Sequence, residues 1–191
     1  MLRICQTFKL FCLAGLIALI FSGSTLAAPP SFRSDVMAVL SKAGCNQGTC
    51  HGNAHGKGGL KLSLRGQNPD EDYLTLTRQS AARRVTPLNP ADSLLLQKPT
   101  MVGPHEGGRR FTEESKAYEI LRNWIAAGAP NDDEAAPSLV SLNVSPTHKT
   151  VYAPNNTVVI KAIASFDNGS SRDVTSLAVF ESSATFVSVS A

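Results

Sequence analysis

The sequence lacks a hydrophobic run long enough for an ordinary membrane span. Its most apolar stretch, LFCLAGLIALIF, lies within residues 1–27 and is shorter than the roughly 20 apolar residues that a spanning helix needs. Arg3 and Lys9 accompany it, and the small-residue run SGSTLAA follows. This order is typical of a secretory signal peptide, so we predict cleavage after Ala27, export to the periplasm or cell surface, and no other membrane contact. The alternative is a retained N-terminal anchor.

Cysteine is scarce. The chain has four cysteines, and two of them, Cys5 and Cys12, fall in the predicted signal peptide. Cys45 and Cys50 would therefore be the cysteines of the exported protein, in an oxidising environment. They stand in the segment KAGCNQGTCHG, with His51 directly after the second cysteine.

Neither sign of charge is in excess. Two of the 18 Lys and Arg residues lie in the predicted signal peptide, which leaves 16 against 15 Asp and Glu, a net charge of +1. This balance gives no reason to expect nucleic acid as a partner. Residues 28–111 carry a net charge of +5 and residues 112–191 one of −4, so the cysteines lie in the basic half. Because no Ser-His-Asp set, carboxylate pair or phosphate loop stands out, the sequence gives no sign of an enzyme.

Helical patterns extend over residues 31–130. A first helix is predicted over SDVMAVLSKAG, with Ser34 as its N-cap and Gly44 at its end. The strongest helix is predicted over TEESKAYEILRNWIAAG, with Thr112 as its N-cap and Gly128 at its end. Between them, single helical turns are expected around residues 73–76 and 93–97. The last helix has an apolar stripe at helical spacing, which consists of Ala117, Ile120, Leu121, Trp124 and Ile125.

Residues 131–137 form a polar linker, and residues 138–191 have the pattern of β-strands. Strands are predicted in LVSLNVSP, TVVIKAIASF, DVTSLAVFE and TFVSVSA, and Asn168-Gly169 predicts a hairpin turn. Only 54 residues follow Pro137, against roughly 100 in an immunoglobulin sandwich. We therefore expect an incomplete β domain and a chain that is a fragment of a longer protein. One face of the second strand would carry Val158, Ile160, Ala162, Ala164 and Phe166.

The cysteine motif is similar to a covalent haem site. The usual signal is C-x-x-C-H, in which both thiols attach to haem and the histidine binds its iron. Here the spacing is C-x4-C-H, and Gly48 would let the two extra residues loop outward. We predict haem c as the cofactor, with Cys45 and Cys50 as its anchors and His51 as the proximal ligand. The segment KPTMVGPHEGGRRF offers Met101 and His105 as distal ligands.

Other structures remain open for this motif. Exported cysteine pairs commonly form disulfides. Zinc could bind Cys45, Cys50 and His51, with His55 or His105 as the fourth ligand. However, His51 directly follows Cys50, which leaves the two side chains little freedom to bind one tetrahedral ion. A reactive dithiol would favour two intervening residues rather than four.

Further side chains have weaker assignments. His55 is expected to be exposed, His148 to have no part in iron binding, and Trp124 to pack in the core. Four arginines could pair with haem propionates, steer an acidic redox partner or form a solvated basic surface, namely Arg83, Arg84, Arg109 and Arg110.

Longer segments carry a family resemblance. DVMAVLSKAGCNQGTCHGNAHGKGGLKLSLRGQ, with RRVTPLNPADSLLLQKPT, PHEGGRRF and LRNWIAAGAP, resembles the planctomycete-type cytochrome c-like domain of large exported bacterial proteins. The resemblance covers about residues 33–130. In relatives, a Met-Pro-Pro segment precedes the last helix, and counting back from Phe111 puts His105 at that methionine. The resemblance therefore favours His105 over Met101 as distal ligand, which implies a lower potential than a His–Met pair.

Residues from about 138 onwards are similar to bacterial Ig-like domains of group 2, which serve as spacers or adhesion modules. Together, the two resemblances imply a multidomain protein with a small all-α cytochrome c-like domain over residues 31–130 and an incomplete all-β Ig-like sandwich over residues 138–191. The expected function is electron transfer to an unidentified protein partner. The alternative is a non-catalytic surface or interaction protein in which Cys45 and Cys50 form a disulfide or hold zinc, and the Ig-like module binds carbohydrate or protein.

Overall fold

The computed structural model of the chain describes residues 28–132, 136–154 and 156–190. The predicted signal peptide, residues 1–27, lies outside the described residues. Within them, no helix has the length and apolar character needed to cross a membrane. The helices are α1 (Met37–Lys42), α2 (Pro69–Thr77), α3 (Leu94–Thr100) and α4 (Lys116–Ala126), and the strands are β1 (Leu139–Ser145), β2 (Lys161–Phe166) and β3 (Ser171–Asp173).

The predicted fold class is wrong. Instead of a small all-α cytochrome c-like domain followed by an Ig-like sandwich, the described residues form a mixed α/β structure of four short helices and one three-stranded antiparallel sheet. Long turn segments separate the helices, and those that precede α2 and α4 contain several glycines. The predicted strands in residues 174–181 and 185–190 do not form, so the sheet has no second sheet to pack against among the described residues.

Serine hydroxyls cap the start of the helical segment that leads into α1 and the start of α4. A π-helical turn, Phe32–Val36, precedes α1, and the Ser31 hydroxyl accepts a hydrogen bond from the Ser34 backbone N–H at 2.9 Å. At α4, the Ser115 hydroxyl accepts from the Tyr118 N–H at 3.2 Å. Ser31 and Ser115 therefore replace Ser34 and Thr112 as N-caps, because their hydroxyls reach the free N–H groups of the first turn.

The two middle helices are longer than the single turns that were predicted. Asn68 caps α2 by accepting from the Glu71 N–H at 3.2 Å, and Pro69 occupies its first position, where the missing N–H is harmless. Pro99 lies in the last turn of α3, and Met101 ends that helix in a left-handed conformation with φ of 67°. Both prolines thus lie near helix ends, where they interrupt few backbone hydrogen bonds.

Sixteen buried hydrophobic residues from the helical region form one core. Trp124 is fully buried at its centre, with the Phe32 ring 5.5 Å away between centroids, and its Nε1–H donates to the Pro130 carbonyl at 2.8 Å. The Asp132 carboxylate accepts from the backbone N–H of Phe32 at 3.2 Å and of Arg33 at 2.6 Å. These bonds join the end of the helical region to its beginning. The predicted stripe of α4 is confirmed at its buried positions, Ile120, Leu121, Trp124 and Ile125.

The sheet has the order β1-β2-β3, with antiparallel pairing throughout. The Phe166 N–H donates to the Ser170 carbonyl at 2.9 Å, and Gly169 has a φ of 79°, which confirms the hairpin turn. Ala162 and Ala164 of β2 are buried, whereas all seven residues of β1 are exposed. The predicted alternation of β2 is therefore present from residue 161, but residues 158 and 160 precede the strand.

The sheet region contacts the helical region through polar and apolar groups. Arg172 of β3 forms an ion pair with the buried Asp35 at 2.7 Å. The Lys42 ammonium donates to the Ala178 carbonyl at 3.1 Å, and Leu177 packs against the helical core. The chain segment after β3 therefore lies beside α1.

Candidate functional site

The segment from Cys45 to Gly52 is a compact loop closed by its own backbone. The His51 N–H donates to the Cys45 carbonyl at 3.0 Å, and the Gly52 N–H donates to the Gln47 carbonyl at 3.0 Å. A Cβ atom at position 52 would collide with the Asn46 carbonyl, so only glycine fits there. Residues 47–49 are exposed, in agreement with the expectation that the residues between the cysteines loop outward. These contacts therefore fix the backbone of the loop at His51 and Gly52.

Both cysteines of this loop are free thiols. Cys45 packs against the helical core, and burial raises the pKa of its thiol to about 11 despite the nearby Arg110 charge. The Arg110 Nη2 group lies 3.4 Å from the Cys50 sulfur and donates to it. The two thiols therefore differ in setting: one is held against apolar side chains, and the other is in contact with a cation.

The central feature of the site is a pair of parallel histidine rings. The rings of His51 and His105 have their centroids 6.3 Å apart, and their planes differ by 14°. His51 Nδ1 lies 3.1 Å from both the Lys57 and Leu60 carbonyl oxygens, and His105 Nδ1 lies 2.9 Å from the Gly108 carbonyl oxygen. A backbone carbonyl therefore fixes Nδ1–H in each ring, which leaves Nε2 of each as the nitrogen with a lone pair.

The electrostatics of His51 favour neutral imidazole. Burial lowers the pKa of His51 and the nearby Arg84 charge lowers it further, while the hydrogen bonds to the Leu60 and Lys57 carbonyls act in the opposite direction. Neutral imidazole is the form that binds metal ions.

A glycine keeps the free edge of His105 open. A Cβ atom at Gly107 would lie 2.8 Å from His105 Cε1, 3.1 Å from His105 Nε2 and 3.3 Å from Arg110 Nη2. The last distance also connects the two halves of the site, because the same Arg110 nitrogen contacts Cys50. His105 and Cys50 are therefore neighbours across Arg110.

The centroid spacing of the histidine pair matches that of two ligands of one metal ion. Two imidazoles on opposite sides of one metal ion, with bonds of about 2.0–2.1 Å, have centroids roughly 6 Å apart. The separation of 6.3 Å is of this size. With two free thiols next to the pair, this donor set fits a covalently attached haem.

Among the described residues, no hydrogen bond joins the other predicted residues to this pair. Met101, the alternative distal ligand, is 43% exposed at the end of α3, and His55 and His148 are exposed. Arg84 is buried, and its guanidinium donates to the backbone carbonyls of Thr75 and Gly59. Arg84 therefore connects two backbone segments and does not present its guanidinium to a ligand. Arg83 and Arg109 are exposed, as a solvated basic surface would require.

The zinc set is not assembled. Across residues 28–132, 136–154 and 156–190, no three His, Cys, Asp or Glu side chains lie together in a way that could hold a metal ion. Cys45, Cys50, His51 and a second histidine therefore do not form a tetrahedral site in this structure.

Sequence reasoning missed two contributors to the site, Gly52 and Gly107, which act through close approach. It named Arg110 as a possible partner of haem propionates or of an acidic protein, but not its contact with Cys50. The Gly107-Gly108 pair beside His105 is visible in the sequence and indicates a close approach. Which of the two glycines leaves room for the histidine depends on where its ring lies. The pairing of His51 with His105, which are distant in the sequence, had no local signal at all.

No protein-family model, curated protein or solved structure matches the chain.

Proposed function

We propose that Cys45, Cys50, His51 and His105 hold a covalently attached haem, and that the protein is an exported electron carrier. The observation that carries the proposal is the parallel pair of imidazoles 6.3 Å apart, next to two free thiols. The resemblance of residues 33–130 to planctomycete-type haem domains points in the same direction. A bound haem supplies one-electron chemistry at its iron.

Each side chain has a defined task in this proposal. His51 and His105 bind through Nε2, while the carbonyls of Leu60 and Gly108 hold the rings at Nδ1. Cys45 and Cys50 tether the group, so it is not lost outside the cell. The burial that lowers the pKa of His51 favours the neutral form of this ligand. With two imidazoles, the potential is lower than with a histidine and a methionine.

The proposal is tested by producing the protein together with a cytochrome c maturation system. We expect haem that stays on the denatured polypeptide, with a mass increase of one haem, and loss of this attachment in Cys45→Ala with Cys50→Ala. His105→Ala should leave the haem attached but change its spectrum, because one of the two proposed histidine ligands is lost.

Two matched variants separate the assigned ligands from their neighbours. His55→Ala removes an exposed histidine from the same glycine-rich loop, and Met101→Leu removes the alternative distal ligand. Neither should alter the spectrum. If matured protein carries no haem and its cysteines form a disulfide, the electron carrier is ruled out and the interaction protein is the remaining account.

A further inference from the structure

A cleft of about 340 Å³ lies between α1 and the sheet, away from the histidine pair. Met37 and Ala38 form its helical wall, and Leu142, Ala164 and Phe166 belong to its sheet wall. Several of its lining residues are small, among them Ala38 on the helix and Ala164 on the sheet. Its volume is at the lower end of the roughly 300–1,000 Å³ of small-molecule sites.

The walls of this cleft include apolar side chains that are exposed to solvent. Leu139 and Leu142 line it and are 58% and 50% exposed, although both lie on the side of β1 that borders the cleft. Water on such side chains is unfavourable, by roughly 25 cal/mol for each Å² that an apolar ligand could cover. The cleft is therefore suited to an apolar group.

The mouth of the cleft is cationic. Three arginines line it, and two of them are paired: Arg33 with Asp70 at 2.5 Å, and Arg172 with Asp35 at 2.7 Å. For Arg65, no carboxylate lies within ion-pair distance among the residues that the structure describes. Its backbone is held by a 3.0 Å hydrogen bond from its N–H to the Asn46 carbonyl. Arg65 is thus an exposed arginine that lines an apolar cleft and has no carboxylate partner among the described residues.

We propose that this cleft binds a small amphipathic anion, namely a carboxylate with an apolar tail of medium length. The tail lies between Ala38 and Ala164, where it covers Leu139 and Leu142, and the carboxylate pairs with Arg65. Guanidinium is well matched to this head group, because its planar N–H donors can bind both carboxylate oxygens. The site is independent of the histidines, so it stands or fails separately from the haem proposal.

The test is calorimetric titration of the full chain with three probes of equal tail length: decanoate, decanol and decyltrimethylammonium. Decanoate should bind at least about tenfold more tightly than either of the others, as expected for one charge-assisted contact. Arg65→Gln should weaken decanoate about tenfold and leave decanol unchanged. Arg122→Gln, which removes an exposed arginine on α4, is the matched control and should change nothing.

A second pair of variants locates the tail. Ala38→Phe fills the cleft from the helix and Leu142→Trp fills it from the exposed strand, so one of them is informative even if the other misfolds. Either filled variant, if it retains the wild-type circular dichroism spectrum, should lose decanoate binding. Any one of three outcomes would overturn the proposal. They are equal affinity for decanoate and decanol, undiminished decanoate binding in a folded filled variant, and no binding by folded wild-type protein.

Discussion

Position 107 is where a single methyl group should act directly on the ring of His105. A Cβ there would lie 2.8 Å from His105 Cε1, closer than side-chain atoms approach one another without a shift. The Gly107 backbone is not in the left-handed region, so strain in φ does not contribute. The effect of a substitution should therefore come from displacement of the His105 ring.

We predict that Gly107→Ala breaks the parallel arrangement of His51 and His105 with only a small loss of stability. Nuclear Overhauser contacts between the two rings should weaken, and in haem-loaded protein the spectrum should resemble that of His105→Ala. Gly103→Ala is the control, because a Cβ at position 103 would meet only Lys98 Cδ at 3.9 Å. Identical ring contacts in both variants would show that the glycine is incidental.

The two thiols should also differ in reactivity. Since the thiolate is the reactive form, a pKa of about 11 should make Cys45 alkylate at least about tenfold more slowly than the same residue in unfolded protein at about pH 8.5. The difference should shrink as the pH approaches the pKa of Cys45. A pulse of iodoacetamide followed by peptide mapping measures it, with Cys50 as the internal comparison. Equal rates for folded and unfolded protein would contradict the burial of Cys45.

At the scale of elements, α4 offers the sharpest comparison, because a buried and an exposed residue are neighbours in it. Leu121 is fully buried in the helical core, whereas Arg122 is exposed. Leu121→Ala should lower the free energy of unfolding by about 2–5 kcal/mol, while Arg122→Ala should change it by less than about 0.5 kcal/mol. Urea denaturation gives both values. A small loss for Leu121→Ala would mean that the helix does not close the core.

The elements that the sequence predicted well are those with a strong local pattern. The apolar stripe of α4 and the Asn168-Gly169 turn are two of them, because periodicity and turn chemistry act within a few residues. Helix starts were less predictable, since Ser115 and Thr112 both have hydroxyls and only the observed geometry puts Ser115 within reach of Tyr118. The alternation at residues 158 and 160 did not become strand, because no neighbouring strand pairs with it.

The fold class and the histidine pair depend on contacts between residues that are far apart in the sequence. The β pattern was correct for β1 and β2, but whether strands form a sandwich depends on a partner sheet that local sequence does not encode. Likewise, His105 was favoured as a ligand by resemblance, whereas its 6.3 Å approach to His51 depends on packing across the whole helical region. Gly107 leaves room for the ring of His105, but this role can be recognised only when the position of that ring is known.

At the scale of the whole molecule, apolar burial is distributed unevenly. The helical region has sixteen buried hydrophobic residues, while among the described residues of the sheet region only Ala162 and Ala164 are buried. Among the described residues, few polar contacts join the two regions, and they are partly exposed. The Arg172–Asp35 ion pair is the shortest of these contacts. Because local stability follows buried apolar contact, the sheet should open more readily than the helices.

We therefore predict that brief proteolysis under native conditions cleaves within residues 139–190 well before it cleaves within residues 32–130. Arg172→Gln should accelerate the first cleavage, because it removes the ion pair and leaves the buried Asp35 carboxylate without its partner. Since Arg172 is 40% exposed, the loss should be modest, roughly 0.5–1 kcal/mol. Lys161→Gln, an exposed substitution in the neighbouring strand, should leave the rate unchanged. Simultaneous cleavage of both regions in the wild type would mean that sheet and helices unfold as one cooperative unit, with the three-stranded sheet stabilised by more than its buried alanines.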